Sequence, residues 1–172
     1  MSSFFIFLDD LPKSGRDFVF DDIEIWKDSV EKFKLEVLIK QIKAEVFIQP
    51  IQKGCFIKGR LIGVLEVPCY RCNELTDYRL DFTFRVVERL DKPHALGVVY
   101  LKEENKRLKV DVGGILWEQF VLAQPLKYLC SEECKGLCPV CGFNLNLGDC
   151  GCKKDFLDPR MEIFRKLKIN NN

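Results

Sequence analysis

A single histidine and a formal net charge of +1 at pH 7 leave this 172-residue chain poor in the usual signs of catalysis and of nucleic-acid binding. The lone His94 lies in the loop Asp91-Lys92-Pro93-His94, with no nucleophile motif, phosphate loop or paired carboxylates beside it. Without such a constellation there is no positive sign of an enzyme. Residues 1–50 carry seven basic and ten acidic side chains, and residues 51–172 carry twenty and sixteen. Neither half has the strongly basic balance of a dedicated nucleic-acid binder, so any contact with RNA has to use a local patch. Long apolar runs are absent too. The run Phe4–Leu8 stops at Asp9-Asp10, too short for a secretory segment, and nothing nears the ~18 apolar residues of a membrane span. Internal repeats and low-complexity stretches are also lacking. The expectation is a cytoplasmic protein whose thiols stay reduced.

The body reads mostly as strand. Phe33–Ile39 alternates apolar and charged residues, Ala44–Ile48 and Phe56–Val67 continue the pattern, and Leu80–Val87 is rich in aromatic and β-branched side chains. Gly54, Gly59 and Gly63 read as turns or bulges. Val98–Leu101 and Leu108–Val112 form a short pair around a charged turn, Lys102–Arg107. Two helices are expected. Asp111 caps one whose apolar positions Ile115, Leu116, Phe120 and Val121 run until Pro125, and Asp158-Pro159 starts a second, short one. The fold class is α+β: a mainly antiparallel, sheet or barrel-like body with one or two helices and a C-terminal cysteine-rich zinc knot. The boundary is placed between a β-rich body over 1–128 and a metal-binding segment with its short helix over 129–172.

What the chain has in abundance is cysteine. Six of its nine cysteines fall between Cys130 and Cys152, spaced C-x3-C-x3-C-x2-C-x8-C-x-C. Cys138-Pro139-Val140-Cys141-Gly142 is the sharpest step, a turn in which two thiolates converge while a small residue lets the backbone curl beneath a metal. Four thiolates close a tetrahedral zinc site and leave no position for water, so such a site is structural. Cys138 and Cys141 pair either with Cys150 and Cys152 downstream or with Cys130 and Cys134 upstream. A further CxxC, Cys69-Tyr70-Arg71-Cys72, sits between two strands and reads as half of a metal site. With it the thiols number eight, enough for two four-thiolate sites, so one or two zinc ions are expected. An iron–sulfur cluster is the rival metal reading. A redox dithiol is the rival for Cys69 and Cys72, disfavoured because strand signal resumes where such motifs need a helix start. Cys55 reads as a small buried hydrophobe.

The stretch Cys130, Cys134-Lys135-Gly136-Leu137-Cys138-Pro139, Cys141-Gly142, Asn144-Leu145-Asn146, Cys150, Cys152, followed by Asp158-Pro159-Arg160, resembles the C-terminal signature of the YceD-like family, the large ribosomal RNA subunit accumulation proteins. Val67-Pro68-Cys69-Tyr70-Arg71-Cys72 is similar to that family's central cysteine step. The resemblance implies a non-enzymatic cytoplasmic factor in large-subunit ribosome assembly, with zinc as a device of the fold. Its partner would be large-subunit ribosomal RNA, a ribosomal protein or an assembly factor. Tyr70, Arg71, Lys135, Lys153 and Lys154 are the candidate contacts, since exposed cations beside aromatics meet phosphates and unpaired bases. The different reading that stays open is a thiol–disulfide or metal-handling protein working through Cys69 and Cys72.

Overall fold

In a computed structural model, residues 4–91 and 99–152 are described. His94, Val98, Lys153, Lys154 and the helix expected at Asp158-Pro159 fall outside that range, and of the strand expected over 98–101 the described part begins only at Leu101. Two open antiparallel sheets form the body. One has the order β1-β7-β6 and the other β2-β3-β4-β5, where the strands are β1 Phe5–Phe7, β2 Arg16–Phe20, β3 Leu38–Ile51, β4 Gly54–Pro68, β5 Leu75–Arg89, β6 Leu101–Glu104 and β7 Arg107–Asp111. The barrel-like alternative is corrected: the two sheets are separate, and no closed barrel forms among the described residues. Helices α1 Glu24–Lys32 and α2 Val112–Leu122 complete the body. Neither described helix is long and apolar enough to cross a membrane.

The long hairpins follow from strict alternation. In β3, Ile42, Ala44, Val46 and Ile48 are buried while Lys43 and Glu45 face out, and in β4 Ile57, Leu61, Leu65 and Val67 repeat the pattern. A one-residue slip would turn every one of these side chains to the wrong face, so the burial fixes the register. Gly59 is needed where it stands, because a Cβ there would lie 2.3 Å from the tip of the Phe84 ring, its cross-strand partner. Cys55 is fully buried beside Glu88, and burial pushes its thiol up to about 12, as suits an inert core residue.

Two local expectations change. Phe33–Ile39 is not a strand throughout: α1 ends at Lys32 and β3 begins only at Leu38. Trp26, Ser29 and Val30 are buried at helical spacing. Phe33 continues that stripe, stacking on Trp117 of α2 with centroids 5.3 Å apart. The charged turn shrinks to Asn105-Lys106, both with positive φ (52° and 63°), as a two-residue hairpin requires. Lys102 and Arg107 belong instead to β6 and β7, where Lys102 lies over the Phe5 ring and Arg107 over that of Phe7. The expected cap of α2 is present, with the Gly114 N–H donating to Asp111 Oδ1 at 3.0 Å.

The core runs between α2 and the sheets. Phe120 and Ile115 are fully buried, Leu116 nearly so, and Trp26 of α1 meets Phe120 at 5.5 Å between centroids. Deleting the Phe120 ring removes this joint between the helices. Phe120→Ala is expected to cost about 3–5 kcal/mol. Val87→Ala, on the exposed face of β5, should stay within ~0.5 kcal/mol. Urea denaturation of the two variants measures both.

Candidate metal centres

The eight clustered cysteines divide into two groups of four. Cys69, Cys72, Cys130 and Cys134 form the first, and Cys138, Cys141, Cys150 and Cys152 the second; within each, all sulfurs lie within 4.8 Å of one another. Of the two pairings that the spacing leaves open for Cys138 and Cys141, the structure adopts the downstream one. Cys130 and Cys134 join the distant CxxC.

The first group is assembled by the tip of the β4–β5 hairpin. Cys69 N–H donates to Glu74 O at 2.9 Å, Asn73 N–H donates to Cys69 O at 2.8 Å, and Asn73 has a left-handed φ of 60°. This tight turn aims Cys69 and Cys72 at the chain returning from α2. Tyr70 N–H donates to Tyr128 O at 2.9 Å, and the Tyr128 ring packs edge-on against Tyr78 with centroids 5.1 Å apart. Arg71 closes the arrangement. Its Nη1 donates to Glu132 O at 3.0 Å and Cys134 O at 2.9 Å, while its own carbonyl accepts from Leu137 N–H at 3.1 Å. Gly136 is required here: its φ is +75°, and a Cβ would come within 3.0 Å of Arg71 O. Cys69, Cys72 and Cys134 are buried, and Cys130 is exposed.

The second group is built within one short stretch. Cys138 N–H donates to Phe143 O at 2.8 Å, Gly142 N–H donates to Cys138 O at 2.9 Å, and Gly142 takes a φ of +72°. Val140 N–H reaches Cys138 Sγ at 3.4 Å. Cys138 is buried, Cys141 exposed, and Cys150 and Cys152 half-buried.

The donor chemistry fits a closed thiolate site. Cys69 Sγ lies 3.8 Å from Cys134 Sγ, and Cys72 Sγ lies 3.7 Å from Cys130 Sγ. Four sulfurs ~2.3 Å from one centre make a tetrahedron with edges of about 3.8 Å. A disulfide would need ~2.05 Å. Proton affinities show the same crowding. Burial works against the Cys69 thiolate, but the backbone N–H groups of Cys130, Cys72 and Arg71 bring that thiol down to about 6. Those of Cys141 and Val140 bring Cys138 down to about 7. The Asn146 amide lowers Cys134. Their neighbours move the other way. Although the Glu74 N–H favours its thiolate, burial and the adjoining thiols push Cys72 up to about 12. Cys141 and Cys150 do the same to Cys152. Each group is thus prepared for some thiolates and resists holding all four, a conflict that a divalent cation relieves.

Of the expected contact residues, Tyr70 is exposed, Lys135 is exposed directly after Cys134 of the first group, and the Arg71 guanidinium is occupied by two carbonyls. Sequence reasoning read Asn144–Asp149 only as a compact polar turn returning the chain to the metal; the amides of Asn144 and Asn146 in fact tie that loop to Glu74, Lys135 and Cys134. Their signal was in the Asn-Leu-Asn motif, which served to mark the family. A concavity of about 820 Å³ lies elsewhere, on the four-stranded sheet beside Phe47, Lys58 and Arg85, apart from both cysteine groups.

Because Arg71 bridges the hairpin tip to the returning chain with charged hydrogen bonds, Arg71→Ala is expected to destabilise the protein by on the order of 1–3 kcal/mol. Arg71→Lys should recover only part of this, since an ammonium lacks the planar fork. Thermal or urea unfolding of the two variants checks the order.

A family model described as large ribosomal RNA subunit accumulation protein YceD matches residues 57–168. No curated protein and no solved structure matches the chain. The matched span contains all eight clustered cysteines and leaves out Cys55. It covers well over half of the 172 residues, and the chain therefore belongs to the YceD family, the large ribosomal RNA subunit accumulation proteins.

Proposed function

We propose that the protein is a non-enzymatic cytoplasmic factor in which two zinc ions, one per cysteine group, shape a docking surface for a protein of the large ribosomal subunit or its assembly. Large-subunit ribosomal RNA then accumulates because that partner is held or delivered correctly. The observation that carries this reading is the surface around the second group. Leu137, Val140, Phe143 and Leu147 are all exposed there. Apolar side chains held out on a short, hydrogen-bonded loop suit a protein partner, where buried aromatic and aliphatic anchors give most of the affinity. The net charge of +1 favours the same class, since affinity from phosphate contacts needs surface positive charge.

Zinc is preferred for these groups because four sulfur donors with no open position match a structural zinc site and hold its geometry without redox chemistry. An iron–sulfur cluster would use the same donors. The second reading, a thiol–disulfide or metal-handling role for Cys69 and Cys72, draws on the low Cys69 thiol at about 6. Against it, the CxxC lies in a hairpin turn rather than at a helix start, and its sulfurs face Cys134 and Cys130.

The test is complementation in cells that lack the protein, read as the ratio of large- to small-subunit ribosomal RNA. Val140→Asp with Phe143→Asp should lower that ratio to the level of the null strain while the purified protein stays folded. Tyr70→Ala with Lys135→Glu should leave it near wild type. The opposite pattern, together with crosslinking of wild-type protein to large-subunit RNA precursors, would establish direct RNA binding instead. Fully zinc-loaded protein with few titratable thiols would exclude the redox reading.

A further inference from the structure

Between Cys141 and Cys150 the chain runs through Asn144-Leu145-Asn146, and this stretch leaves its own cysteine group to touch the other one. Asn146 Nδ2 donates to Cys134 Sγ at 3.3 Å, and Asn146 Oδ1 accepts from Lys135 N–H at 2.8 Å. The amide is therefore fixed at both ends, with its donor aimed at a sulfur of the first group. Asn144 Oδ1 in turn accepts from the Asn146 backbone N–H at 3.0 Å and from Nδ2 at 2.9 Å. Leu145 N–H donates to Gly136 O at 2.9 Å, and Leu137 pairs with Asn144 in a short antiparallel bridge. Among the described residues, Asn146 is the one side chain of this loop that reaches a sulfur of the first group, and the loop that carries it begins and ends at the second group.

Those ends belong to the second group, since Cys141 enters the loop and Cys150 leaves it. We infer that Asn146 couples the two cysteine groups, so that a metal ion at Cys138, Cys141, Cys150 and Cys152 raises the affinity of Cys69, Cys72, Cys130 and Cys134 for a metal ion of their own. This rests on the metal-binding reading of both groups. Closing the second group fixes the 142–149 loop and delivers the amide to Cys134. A hydrogen bond to a ligating thiolate spreads its charge and holds its lone pairs in place, and removing such an outer partner typically costs ~10–100-fold in metal affinity. Coupling through one contact is reciprocal, so loading the first group favours the second by the same factor. Asn146 is a positioning residue, not a ligand.

The experiment uses the full chain, reduced and stripped of metal under anaerobic conditions, titrated with cobalt(II) and read by its thiolate-to-cobalt charge-transfer absorption, followed by competition with zinc. Cys150→Ser with Cys152→Ser disables the second group, and the first group's affinity is then expected to fall by on the order of tenfold or more. In an Asn146→Ala background, already weaker at the first group, the same double change should have less than a ~2-fold further effect. Asn146→Asp keeps the acceptor for Lys135 N–H but loses the donor to sulfur and adds a like charge, so its first group should bind more weakly still. A side chain that merely holds the loop would leave the Asp variant like wild type. The inference is overturned if the first group's affinity survives loss of the second, if the loss is as large without Asn146, or if Asn146→Asp binds as wild type does. A wild-type chain that takes up no cobalt would overturn the metal reading along with it, whereas two groups that fill independently would remove the coupling alone.

Discussion

Everything at the cysteine-rich end depends on one constraint: four thiolates drawn from two distant parts of the chain have to share a space a few ångströms wide. Cys69 and Cys134 are 65 residues apart, and Cys72 and Cys130 are 58. Bringing such segments together costs loop-closure entropy, and placing four sulfurs together costs charge repulsion as each ionises. The opposed shifts within the first group, Cys69 down to about 6 and Cys72 up to about 12, express that conflict. A bound cation would turn that repulsion into attraction, as at sites where metal binding and folding are one equilibrium.

The rest of the molecule supplies the geometry. The β4–β5 hairpin is a long, stiff arm because β4 alternates so regularly between buried and exposed positions. Its tip turns through Asn73 in a left-handed conformation. The α2 helix, capped by Asp111, returns the chain toward that tip, and Tyr128 and Arg71 lock the approach with main-chain contacts. Burial is uneven as a result: the first group is mostly enclosed, while the second stands out on a loop among exposed apolar side chains. The first group joins two distant segments of the chain, and the second lies within one short stretch.

Much of this was legible in the sequence. The hairpin CxxC, the strands on either side of it, the Asp111 cap and the supply of eight clustered thiols all follow from local pattern. The pairing of the thiols does not, because Cys138 and Cys141 have acceptable partners on both sides, and only the path from α2 past Tyr128 sets Cys130 and Cys134 against the hairpin. Helix α1 was missed because its buried stripe is short, and the alternation of Phe33, Leu35 and Val37 imitates a strand although it packs a turn. Arg71 read as a free cation beside a tyrosine; its carbonyl partners appear only once Gly136 has taken its positive φ and bent the chain beneath it. The bond from Asn146 to sulfur is likewise invisible without the loop that carries it.

The measurement that bears most directly on this account is the metal content of anaerobically purified protein, determined by elemental analysis and native mass spectrometry. Two zinc ions per wild-type chain are expected, falling to one in a Cys69→Ser, Cys72→Ser variant that leaves Cys138, Cys141, Cys150 and Cys152 intact. A single zinc in wild type that is unaffected by those changes, or iron with a visible absorption band in place of zinc, would contradict it.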